Sequence, residues 1–161
     1  MRNIITIILL LFTLTQPSFS AGSSGDSGDS KSNYDKAIPF IKAGNKLEKK
    51  GKIEKAKQRY EKAIKYLIKS NKEKPNQPDT LNYLGFAYRK VGDFKMAEIY
   101  YLQGLDIDPG HKGINEYLGE LYVQTDRIDL AKERLGVLKN CNCEEFQELK
   151  EVIEGTKKSK Y

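Results

Sequence analysis

The sequence predicts an all-α protein, an α-solenoid of three helix hairpins closed by a C-terminal capping helix. Three observations point there. Leu-Gly pairs recur at Leu84-Gly85 and Leu118-Gly119, and Ala97 and Ala131 stand 34 residues apart, a spacing suited to a repeated helix–turn–helix unit. Apolar residues recur every three or four positions between turn signals at Gly51, Gly92-Asp93 and Asp126-Arg127. No alternating strand pattern competes with them. Such units bury a core only by stacking on one another, and the stack leaves a long surface suited to binding rather than to chemistry.

Each segment has its own reason. Arg2 followed by the apolar run Ile4–Leu14, then Pro17 and small residues at Ser18 and Ser20, reads as a signal peptide over 1–20. The run spans 11 residues, too few for a bilayer core of about 30 Å at about 1.5 Å per residue. Export to a periplasmic or secreted location is therefore expected, with no integral membrane segment after cleavage. A mature chain that still began at Met1 would contradict this. Residues 21–33 are Gly, Ser and Asp-rich without a large apolar side chain, which predicts a disordered linker. The folded domain is expected over 34–156, with a basic tail over 157–161.

The first helix pair is expected at 35–50 and 52–72, the second at 78–91 and 94–107, the third at 113–125 and 128–139. Ala56 and Ala97 are 41 residues apart, seven beyond the period. Ile64, Leu67 and Ile68 continue the apolar stripe, so the excess is expected as about two extra turns on the second helix of the first pair. Pro75 and Pro109 stop the helices before them. Phe146, Leu149 and Ile153 share one face of a capping helix over 144–156, with Glu144 and Glu145 in its first turn and lysines just past its end.

The formal net charge is +6, carried largely by lysines in 42–74 that alternate with Glu and apolar residues at helical spacing. Solvated helix faces account for them, and attraction to an anionic lipid, cell-wall polymer or nucleic acid is the sharper alternative. No RNA-binding fingerprint, zinc-finger spacing or aromatic-interleaved basic motif supports a nucleic-acid partner. No catalytic residue is expected: His111 is the single histidine, and no Ser/His/Asp set, phosphate-cradling loop or His–Glu metal motif can be built. The GDSGDS run lies in the linker without a supporting fold. No cofactor or metal is expected either. Cys141 and Cys143 leave three readings open: a local disulfide, free or intermolecularly paired thiols, and soft-metal binding.

Leu84-Gly85, Tyr88, Gly92, Ala97, Tyr101 and Pro109 make residues 78–111 resemble the tetratricopeptide repeat (TPR) family, and the resemblance extends over about 35–140. The repeat departs mildly at Leu81 and Gly104. The third repeat keeps Leu118-Gly119, Tyr122 and Ala131 but has Leu135 and Leu138 at the later positions; the first departs most, with Ala43-Gly44 and Leu47 in place of Leu-Gly and Tyr. The resemblance implies a non-enzymatic protein–protein interaction module, with a groove lined by the first helix of each pair that takes a peptide or a partner helix. Carried across in phase, the groove candidates are Asn45 and Lys49, then Asn82, Tyr83, Phe86, Arg89 and Lys90, then Glu116, Tyr117 and Glu120. Tyr83, Phe86 and Tyr117 are expected either as apolar anchors for a ligand, Phe86 then standing exposed in an empty groove, or as packing between repeats, and Arg89 and Lys90 as partners for acidic groups of the ligand.

Family members that bind the acidic tails of heat-shock chaperones carry a clamp of Lys and Asn, then Asn, then Lys and Arg. Of these only Asn45 matches; the other positions hold Ile41, Tyr83, Gly113 and Tyr117, which disfavours that ligand. The expected partner is another protein or peptide, and homo-oligomers through the ends of the array stay open. An accessory scaffold subunit of an envelope assembly or transport machine, or a redox or metal-handling protein using Cys141 and Cys143, are the alternatives.

Overall fold

A computed structural model describes residues 31–157. The expected signal peptide, most of the linker and most of the basic tail lie outside the described residues. Seven helices follow in order: α1 Asn33–Glu48, α2 Ile53–Glu73, α3 Pro78–Val91, α4 Phe94–Ile107, α5 Lys112–Gln124, α6 Ile128–Leu138 and α7 Glu144–Ile153. They pack as the hairpins α1–α2, α3–α4 and α5–α6, each stacked on the next, with α7 laid on α5 and α6.

Local chemistry sets the ends. α1 starts two residues earlier than expected because the Ser32 hydroxyl caps it, accepting from the Asp35 amide at 3.1 Å. Pro39 lies within α1, where it removes one backbone donor without ending the helix. Pro78 opens α3 at its first turn, and Gly92 closes it with φ 94°, a left-handed conformation that costs glycine nothing. Asp93 then caps α4 through the Met96 amide at 3.0 Å. The seven surplus residues fall as expected, since α2 has 21 residues and α4 has 14.

The hairpins are held by large residues seated on glycine. The Tyr60 ring of α2 lies against Gly44 of α1, and a methyl group added at Gly85 of α3 would stand 2.5 Å from the Tyr101 ring of α4. Both rings are fully buried, as are Ala56, Ala97 and Ala131 at the matching close approaches of the second helices. Tyr60 and Tyr101 thus sit within their hairpins, and Tyr60 also meets Phe86 of the next hairpin edge-on, with ring centroids 6.0 Å apart.

The third hairpin differs. The side chain on Gly119 is Leu149 of α7, 2.5 Å from where a methyl group would stand, so the cap supplies what the second helix supplies elsewhere. The opposite end differs too. Ala87 and Leu121 are fully buried against the preceding hairpin, while Lys46, their counterpart on α1, is exposed.

Candidate functional site

The first helices α1, α3 and α5 share one face, and the expected groove residues divide on it into a covered set and an open set. Phe86 is 2% exposed, so it is no bare anchor. It is packed between Tyr60 and Tyr117, with ring centroids 6.0 and 5.3 Å away. The stacking of hairpins covers it, which helix periodicity within α3 does not reveal.

Arg89 and Lys90 are also corrected. Both Arg89 terminal nitrogens donate to Glu120 Oε2 at 3.0 Å, and the two side chains are wholly buried. This ion pair joins α3 to α5. Burial alone would drive the guanidinium toward its neutral form; Tyr101 and Glu120 outweigh it and hold Arg89 more firmly protonated than free arginine. Lys90 is joined to Glu48 of α1, which ties the first hairpin to the second. The Tyr60 hydroxyl lies 2.7 Å from Asn45 Oδ1 and 2.8 Å from Glu48 Oε2, and its one proton serves one acceptor at a time. Burial, and then the bond to Glu48, push that hydroxyl well above the usual tyrosine range. These charges, expected to face a ligand, are spent on neighbouring hairpins of the same chain.

Lys90 has a consequence for stability. Burial pushes its ammonium down to about 7 from 10.5, against the pull of Glu48. Between those values the unfolded chain holds a proton that the folded chain has released, so folding stability rises with pH across that window. Urea denaturation from about pH 7 to about pH 9.5, below the titration of unfolded tyrosine, checks this. The wild-type chain is expected to gain stability over the range relative to Lys90→Met, whose methionine keeps the apolar stem. Parallel profiles for the two proteins would refute the assignment.

The open set is different. Tyr83 and Tyr117 are half-buried and, with Gly113 and the buried side chains of Asn82 and Glu116, line a hollow of about 480 Å³ that Asp108, His111, Lys112 and Glu145 complete. Asn82 is 7% exposed and its Oδ1 meets no hydrogen-bond partner. Asn45 and Lys49 line a second hollow of about 440 Å³ with Lys42, Lys46 and Lys50. The sequence reading missed Asp108, His111 and Glu145, which reach the face from a turn and from the cap. His111 accepts from the Ile114 amide through Nδ1 at 3.2 Å, capping α5, so Nε2 carries the proton and donates to Asp79 at 3.1 Å.

Cys141 and Cys143 are joined as a disulfide with Cα atoms 5.2 Å apart, at the junction of α6 and α7. Among the described residues no group of three His, Cys, Asp or Glu side chains is placed to hold a metal. None of the described helices is long and apolar enough to cross a membrane.

Tetratricopeptide repeat family models match residues 78–111, which carry α3, α4 and the Gly85–Tyr101 contact, and residues 47–77, which carry the end of α1 and all of α2. The chain is a tetratricopeptide repeat protein. Among solved structures, the first TPR domain of Spaghetti (RPAP3), bound to the HSP90 peptide SRMEEVD, aligns with 78% of this chain and 96% of its own length. The TM-score is 0.52 at 21% identity, a likeness of fold. No curated protein matches this TPR protein.

Proposed function

We propose that this TPR protein is a non-enzymatic interaction module that holds an extended polypeptide along α1, α3 and α5. The observation that carries the reading is the hollow walled by Tyr83 and Tyr117, which offers two aromatic surfaces beside buried polar groups. Asn82, which lines the hollow, adds a buried amide oxygen without a hydrogen-bond partner. The RPAP3 domain, similar in fold, holds its peptide with the same kind of repeat.

The ligand differs in chemistry from an acidic tail. Gly113 and Tyr117 supply no cation to the hollow, and Asp108, Glu116 and Glu145 outnumber Lys112 around it. Export of the module is supported by the signal-like segment 1–20, and the Cys141–Cys143 bridge suits an oxidising compartment.

Selection from a displayed library of random dodecapeptides tests the reading. Peptides are expected to be enriched, and Tyr83→Ala with Tyr117→Ala is expected to weaken them about tenfold or more. SRMEEVD is expected to bind no better than its scrambled form. Failure to enrich any peptide, or equal binding by the double variant, would sink the proposal.

A further inference from the structure

The charge of this TPR protein is divided along its length. Residues 33–74, the first hairpin, hold fourteen Lys and Arg against five Asp and Glu, whereas residues 75–157 hold ten against fifteen. The excess is densest at the α1–α2 turn, where Lys49, Lys50, Lys52 and Lys55 are all exposed. Among the described residues none of the four forms an ion pair. The two carboxylates nearest in sequence pair with other residues: Glu48 with Lys90 and Tyr60, and Glu54 with Lys57 at 3.8 Å.

An apolar side chain stands in the middle of these lysines. Ile53 is 48% exposed, the barest large hydrophobic residue among those described. Its counterpart at the next turn, Phe94, is packed against the core. The third counterpart, Ile128, is also exposed, but Asp126 and Asp129 flank it.

We propose that the α1–α2 turn docks this TPR protein on an anionic lipid bilayer. Lysines alone would suit any polyanion. An isoleucine at their centre gains nothing from a free phosphate or from the phosphate backbone of a nucleic acid, which offer it no apolar medium. A bilayer surface offers both, since headgroup phosphates lie directly over acyl chains. The acidic remainder of the molecule turns away from such a surface, so the charge division orients the first hairpin toward it. The site is separate from the hollow at Tyr83 and Tyr117 and does not rest on peptide binding.

The chain has no tryptophan, so Ile53→Trp places a single reporter at the turn. In the full chain, its emission is expected to move to the blue on vesicles of phosphatidylcholine and phosphatidylglycerol, and to be quenched by brominated acyl chains. Vesicles of phosphatidylcholine alone are expected to leave it unchanged, which also separates the turn from the apolar segment at 4–14. A Leu102→Trp reporter on α4 is expected to stay in water throughout. Adding Lys49→Glu, Lys50→Glu and Lys52→Glu to the Ile53→Trp chain is expected to weaken the response about a hundredfold. An introduced tryptophan that keeps its aqueous emission on the anionic vesicles would overturn the proposal. So would an equal shift on neutral vesicles, or heparin binding without any vesicle response.

Discussion

Arg89→Ala is expected to lower the stability of the fold by about 3–5 kcal/mol, a large part of what a single domain holds. The Arg89 and Glu120 side chains are both fully out of water, and they join α3 to α5. Removing the guanidinium leaves the Glu120 carboxylate in a site chosen for a pair. Desolvation of that lone charge, rather than loss of attraction, dominates the cost. The double variant Arg89→Met with Glu120→Leu is expected to recover most of it, because two apolar side chains need no counter-charge there. Urea denaturation of the three proteins gives the comparison. A single variant as stable as the wild type would mean that water reaches the pair and that it does not hold the second hairpin to the third.

Leu149→Ala is expected to cost about 2–5 kcal/mol, with the loss concentrated at the cap. Leu149 is fully buried and fills the recess over Gly119 that tyrosines fill over Gly44 and Gly85. Truncation leaves a void between α5 and α7 that alanine cannot close. Repeat arrays open from their ends, so amide exchange should accelerate across 144–153 well before it does in α3 and α4. Uniform acceleration along the chain would instead show that α7 belongs to one cooperative unit with the second hairpin.

The second hairpin is legible in the sequence to the residue, Pro78–Val91 and Phe94–Ile107, because its boundaries are local chemistry: a proline at the first turn, a left-handed glycine, an aspartate cap. The start of α1 is not, since Ser32 is one serine among several in a Gly/Ser-rich run and only its contact with Asp35 marks it as a cap. The site was legible in part. The family resemblance places Asn82, Phe86, Arg89 and Glu120 on the face shared by α1, α3 and α5. Whether such a face is open or covered depends on partners far away in sequence, 42 residues for Lys90 with Glu48 and 31 for Arg89 with Glu120. A single helix carries no record of those distances. The lysine count of the first hairpin was visible from the start, but the bare Ile53 among the lysines needed the fold, because an isoleucine at the start of a helix is as often packed, as Phe94 is.

The two ends of the stack bear on how the molecule grows. A solenoid is in effect a short polymer of its own repeat, and a repeat with open flanks invites another copy to continue it. Lys46 puts a charge where the next unit on one side would need an alanine or leucine, and Leu149 already fills the recess that a new unit would use on the other. Both flanks of the described array are thus expected to act as chain stoppers in the polymer sense. Raising the protein concentration is therefore expected not to lengthen the stack, and sedimentation at rising concentration checks it.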